Sequence, residues 1–316
     1  MLIEEAASTL PKRPSRPPLI RFADLPALLY AYPLYGLIRL LPTPAIWAAK
    51  TFGGPVYRLL HRAKERLAAQ RIRQFLDVPL PEAQRLARRW IDHHTRRGCY
   101  RLSLLSRNPS VFRQERTLVG IEHLERALAE GRGVLLVSIH SFAVVPATRF
   151  LREKNHSVMS VRRLRVPEDL GRLAQHWLGP RILRIAQQIL EGSEAVSADD
   201  PNCTMILAKR LRAGGLVHIG ADAKRSLTSI VVPFLKGTRG VSKGALDLAR
   251  LCRCPVIPLT AAFTDSGVRV ELGAPLDLRY TGGAEECAGA NLPVLVAELE
   301  RQVAAYPDQW DRWTDL

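Results

Sequence analysis

The chain has 316 residues and a mass of 35.2 kDa, enough for one large domain or two smaller ones. A hydrophobic content of 47% excludes a disordered polyelectrolyte, and a mean hydropathy of −0.04 excludes a multi-span membrane protein. The 46 Lys+Arg against 30 Asp+Glu leave a net charge of +16, which demands an anionic partner: nucleic acid, anionic lipid headgroups or an acidic protein.

The charge is unevenly placed. Residues 1–116 hold 21 Lys+Arg and 8 Asp+Glu, a net of +13; residues 117–316 hold 25 and 22, a net of +3. Such an asymmetry points to an N-terminal docking segment on a nearly neutral body. Nucleic acid is the disfavoured partner, because the chain has no recognised binding motif and no stacking aromatics among its basic runs. The five cysteines are odd in number, and Cys252-Arg253-Cys254 is too closely spaced for a usual zinc knuckle. They read as thiols in a reducing compartment, and no metal constellation is expected.

In chain order, residues 1–22 form a flexible basic arm, with Pro11, Pro14, Pro17 and Pro18 among Lys12, Arg13 and Arg16. Residues 23–116 form a basic helical segment. Within it, residues 25–38 are strongly apolar but too short and too proline-interrupted for a clean span, which needs about 20 apolar residues. With Tyr30, Tyr32, Tyr35 and Trp47 in or beside it, the run reads as an interfacial anchor. Two basic helices follow, over 56–76 and 82–106. In the second, Leu86, Trp90 and Ile91 recur at helical spacing amid Arg85, Arg88, Arg89, Arg96 and Arg97, a candidate headgroup-binding face.

From residue 117 onward strands alternate with helices. Helices are expected over 121–130, 166–190, 202–213, 241–253 and 291–305. Strands are expected over 134–139, 158–161, 216–219, 256–259 and 268–272. The fold class is α/β, a largely parallel central sheet flanked by helices behind an N-terminal membrane-associating helical segment. Ligands in such sheets bind at the carboxyl ends of strands, and His140 follows the first apolar strand directly.

The run from Gly120 to His140 resembles the lead-in of the lauroyl/myristoyl acyltransferases of lipid A biosynthesis. Gly220-Ala221-Asp222, Val231-Val232-Pro233-Phe234, the helix from Ser242 to Arg250, Pro255-Val256 and the closing Tyr306-Pro307-Asp308-Gln309-Trp310 are similar to that family's later motifs, in order, over about residues 20–316. The resemblance implies transfer of a fatty acyl group from an acyl carrier protein or CoA thioester to a hydroxyl or amine of a lipid-like acceptor. It implies His140 as general base, no metal or dissociable cofactor, and a place on the cytoplasmic face of the inner membrane. Arg162, Arg163, Lys224, Arg225 and Arg239 are then candidates for the substrate's anionic groups. Trp310 and Trp313 read as packing.

One departure stands out. The family places a carboxylate five residues after the histidine, where it orients the imidazole; here Val145 occupies that position, and no Asp or Glu occurs between Glu130 and Glu153. Removing the orienting carboxylate from a comparable acid–base system costs about 10⁴ in rate. Three readings stay open: Asp222, helped by Ser141, substitutes; the acceptor is an amine that needs less base assistance; or the protein is a catalytically degenerate acyl- or lipid-binding member of the fold.

Overall fold

The computed structural model describes residues 18–22, 24–106, 115–162, 166, 170–189, 194–223 and 229–316. The apolar runs form strands of one seven-stranded sheet. They are β1 (Glu115–Val119), β2 (Val134–Ser138), β3 (Val158–Arg162), β4 (Glu194–Ser197) and β5 (Leu216–Gly220). A separate antiparallel hairpin, β6 (Ser229–Phe234) and β7 (Gly237–Ser242), interrupts the series before β8 (Val256–Phe263) and β9 (Gly267–Leu272) complete the sheet. Its order is β1-β9-β8-β2-β5-β3-β4. The five strands from β8 to β4 run parallel, β9 returns antiparallel to β8, and β1 runs parallel to β9. Central β2 and β8 are buried along their whole length, as strands covered on both faces must be. Gly133 enters β2 at φ +68°, where any Cβ would lie 2.3 Å from the Leu211 carbonyl oxygen, so only glycine starts this strand here.

The N-terminal region is helical: α1 (Asp24–Leu29), a π turn (Tyr30–Leu34), α2 (Tyr35–Leu40), α3 (Thr43–Leu60), α4 (Arg62–Leu76) and α5 (Leu80–Ser103). Pro33 lies inside the π turn and has no N–H to give the helical ladder, so the turn widens and the Tyr35 N–H reaches back to the Tyr30 carbonyl. No described helix is long and apolar enough to cross a membrane.

The main hydrophobic core runs across the boundary expected near residue 116. Ala68, Ile72, Phe75, Trp90 and Ile91 of α4 and α5 share one buried cluster with the strands and with Trp310 and Trp313. Several arginines of the basic face of α5 are also tied into the fold. Arg89 pairs with Asp308 at 2.7 Å, Arg97 with Asp311 at 2.5 Å, and Arg96 donates to the carbonyls of Thr264 and Gly267. Arg85 pairs with Glu82 on its own helix. Most of these charges fasten α5 to the C-terminal segment and the β8–β9 turn, a tertiary use that helical periodicity does not reveal.

The body continues with α6 (Ile121–Ala129), α7 (Val144–Glu153), α8 (Arg172–Trp177), α9 (Gly179–Ile189), α10 (Cys203–Arg212), α11 (Gly244–Cys252) and α12 (Ala284–Ala305). The single helix expected over 166–190 is two, α8 and α9, with Pro180 in the first turn of α9 where its missing N–H is harmless. Edge strands β1 and β4 and the β6–β7 hairpin were not expected. Both edge strands are short and partly exposed, so neither carries the apolar run that marks a buried strand.

Candidate active site

His140 stands just past the end of β2, and Asp222 just past the end of the neighbouring β5. The two strands pair in register from Val134↔Leu216 to Ser138↔Gly220, and the Ala221 N–H continues the ladder to the Ser138 carbonyl at 2.9 Å. That register delivers Asp222 to His140 across 82 residues of sequence. The imidazole Nδ1 bonds the carboxylate oxygen Oδ1, and the His140 backbone N–H donates to the same oxygen at 3.0 Å. Trp310 Nε1 donates to the other oxygen, Oδ2, at 2.6 Å. The carboxylate is fully buried, whereas the His140 side chain keeps 34% of its surface open.

The electrostatics favour a charged Asp222. Burial by itself would raise its pKa. The adjoining imidazole, the hydrogen bonds from His140 and Trp310 and the Arg239 guanidinium outweigh that and hold the carboxyl well below the usual carboxylate range. A carboxylate only accepts, so the proton of a neutral His140 sits on Nδ1 and the lone pair on Nε2. This is the tautomer a general base needs.

Gly220 makes the approach possible. A Cβ there would lie 2.7 Å from His140 Cε1 and 3.1 Å from both ring nitrogens, so the imidazole rests on a strand position that only glycine can supply.

The loop that carries His140 leaves the sheet, and its backbone groups need other partners. The C-terminal elements provide them. Gln302 Oε1 accepts the Ile139 N–H at 3.0 Å, the Asp311 N–H donates to the His140 carbonyl at 2.9 Å, and the Phe142 N–H donates to the Gln309 carbonyl at 3.1 Å. Trp310 is itself held, since Trp90 Nε1 donates to its carbonyl at 2.7 Å and Trp313 packs edge-on at 4.7 Å between ring centroids. Trp310 therefore does more than pack: its indole N–H fixes the buried carboxylate. The aromatic closing motif marked its position, but only the fold reveals its partner.

The other sequence candidates fall in different places. Ser141 donates to the Ala261 carbonyl and accepts the Ala143 N–H at 3.1 Å, so its hydroxyl serves the turn into α7 and makes no bond to His140. Arg239 does not face open solvent. It is buried on β7, donates to the Asp222 carbonyl at 3.0 Å and lies 5.1 Å from the Trp310 ring centroid, which makes it a support of the carboxylate. Arg163, Lys224 and Arg225 lie outside the described residues. Arg162 ends β3. By register it is level with Gly220 and Ser138, because Ser160 faces His218 and His218 faces Leu136.

Beneath that row lies a buried polar group: Arg162 Nε and Nη2, Ser160 Oγ and His218 Nδ1 have no hydrogen-bond partner among the described residues. Burial, and then the Arg162 charge, push the His218 pKa down to about 3, so this second histidine is neutral at physiological pH. Its Nε2 contacts Ser138 Oγ at 2.8 Å. Val145, in the position of the expected acid, is a buried residue of the first turn of α7.

The site thus holds an imidazole oriented by a buried carboxylate, with an arginine at the end of β3, two strands away; among the described residues no group of side chains is arranged to hold a metal ion. No curated protein matches the sequence. The family model for bacterial lipid A biosynthesis acyltransferases matches residues 34–313, so the chain belongs to that acyltransferase family.

Proposed function

We propose that the protein moves a fatty acyl group from an acyl carrier protein or CoA thioester to a hydroxyl or amine of a lipid-like acceptor. The observation that carries this reading is the chain from Trp310 through Asp222 to His140 Nδ1, which leaves Nε2 as the basic nitrogen. Nε2 takes the proton of the acceptor O–H or N–H as the nucleophile attacks the thioester carbonyl carbon. The C–S bond then breaks, and the departing thiolate takes the proton back from the imidazolium. Asp222 orients the ring and stabilises its charged form, the part that the family gives to the acid replaced here by Val145. Arg162, with Arg163, Lys224 and Arg225, meets anionic groups of the substrates. The N-terminal helices dock on an anionic bilayer, at the cytoplasmic face of the inner membrane. No metal or dissociable cofactor enters the reaction.

Thiol release from acyl carrier protein and CoA thioesters, with lipid acceptors present, tests the reading. Wild type releases thiol above background and His140→Ala does not; equal background rates for the two defeat it. The buried valine at position 145 favours a second reading, a degenerate acyl- or lipid-binding protein on the same fold. Under that reading wild type is silent, and activity, if any appears, appears only in Val145→Glu.

A further inference from the structure

The fold joins two segments far apart in sequence into one apolar surface. The Arg172 and Leu173 N–H groups donate to the Pro18 and Leu19 carbonyls at 3.0 and 3.1 Å, and the Gly171 N–H donates to Asp24 Oδ1 at 2.7 Å. Leu170, Ala174 and Leu178, spaced by four along α8 and its two flanks, are buried together and pack with Ala27 of α1. Leu173 and Trp177, also spaced by four, occupy its outer side and are exposed, Trp177 at 70%. Beside them Leu19, Ile20, Phe22 and Leu25 are exposed as well, Phe22 at 91%. Trp177 is the most exposed of the five tryptophans, whereas Trp90, Trp310 and Trp313 are all buried.

The charge on and beside these segments is mostly positive. Residues 18–40 and 170–189 hold five Lys+Arg and one acid, Asp24, with Glu168 and Asp169 just before Leu170. The Asp24 carboxylate already accepts the backbone N–H groups of Arg21 and Gly171. Arg39, Arg172 and Arg184 are exposed. An exposed apolar face with a tryptophan, whose described residues carry several arginines and, in Asp24, one acid already engaged by backbone N–H groups, matches an anionic lipid bilayer, whose headgroups meet the arginines while the apolar side chains enter the acyl boundary.

We infer that the bilayer-docking surface is composite: α8 of the α/β body, through Trp177 and Leu173, enters the membrane together with residues 19–25. The inference rests on the membrane docking proposed above and adds to it an element that lies outside the N-terminal segment. It fixes the body, and not only the N-terminal helices, against the lipid surface.

The test uses the full chain with vesicles of phosphatidylcholine alone and of phosphatidylcholine with phosphatidylglycerol. Wild type co-sediments with the anionic vesicles and much less with the neutral ones. Trp177→Glu and Leu173→Glu each weaken that binding about tenfold or more, since burial of a large apolar side chain is worth at least a decade in affinity. Both residues are exposed, so circular dichroism of the variants matches wild type. The fluorescence difference between wild type and Trp177→Phe isolates this indole, which is quenched by brominated lipid. Unchanged binding by both Glu variants with an unquenched Trp177, while wild type binds, overturns the composite surface and leaves N-terminal docking intact. Failure of wild type to bind either vesicle overturns membrane docking itself. Equal binding to both vesicles overturns the part given to the arginines.

Discussion

Asp222→Asn tests the core of the proposed chemistry with almost no change of shape. The asparagine keeps one acceptor oxygen in place of two, while Trp310 Nε1 donates at 2.6 Å on one side and the His140 backbone N–H at 3.0 Å and Nδ1 meet the other. With the oxygen toward Trp310, the amide N–H forces Nδ1 to accept and moves the imidazole proton to Nε2, the nitrogen that must take the acceptor's proton; with the oxygen toward His140, the indole N–H loses its acceptor. Either way, the carboxylate charge that stabilises the imidazolium is gone. The same substitution in a serine protease triad lowers turnover about 10⁴-fold with the geometry intact, which corresponds to about 5.5 kcal/mol of transition-state stabilisation. The assay is acyl-thioester turnover at neutral pH beside a thermal unfolding curve. The expected result is a drop in kcat of about three to four decades, with KM for the thioester little changed. A folded Asp222→Asn within about tenfold of wild type refutes the relay and with it the replacement of the position-145 acid by Asp222.

Three further outcomes follow from the same geometry. Trp310→Phe keeps the ring but removes the N–H on a buried carboxylate, a charged hydrogen bond worth about 1.5–3 kcal/mol. Turnover should fall about 10- to 100-fold, and the acid limb of the pH–rate profile should shift, which a packing defect alone would not produce. Gly220→Ala sets a methyl 2.7 Å from His140 Cε1; the fold should persist by circular dichroism while activity is lost with the displaced imidazole. Asp222 is held below its unfolded pKa of about 3.9, so its contribution to stability is complete above that value and disappears as pH falls through the folded one. Urea unfolding of wild type and Asp222→Asn from neutral to strongly acidic pH should therefore show a stability gap that closes only on the acid side.

Much of the body was legible because its signals are local. The run over 134–138 is apolar at every position but the last, and such a run with glycines before it reads as a buried strand wherever it occurs. The histidine at its end was visible for the same reason, and the ordered motifs named the family. The reading of arginines was less secure. Guanidinium groups on α5 look alike in sequence, yet Arg89 and Arg97 pair with acids more than 200 residues away and Arg96 caps the β8–β9 turn. Arg239, a candidate for the substrate's anionic groups, is buried against Asp222 because it lies on β7 of the β6–β7 hairpin. Ser141 sits next to His140 in sequence, but the turn directs its hydroxyl to β8.

The sequence by itself determined the α/β class, the family, the basic N-terminal part and the histidine, since each is carried by composition, periodicity or contiguous motifs. It also set Val145 where the resemblance implies an acid. Only the tertiary structure decided which carboxylate lies against the histidine. Strand register sets β5 beside β2, a glycine lets the imidazole lie on that strand, and the C-terminal segment closes over both so that Trp310 reaches Asp222. Those three contacts join residues 80 or more positions apart, and pairings at that range follow from sheet order and register, which no local pattern encodes.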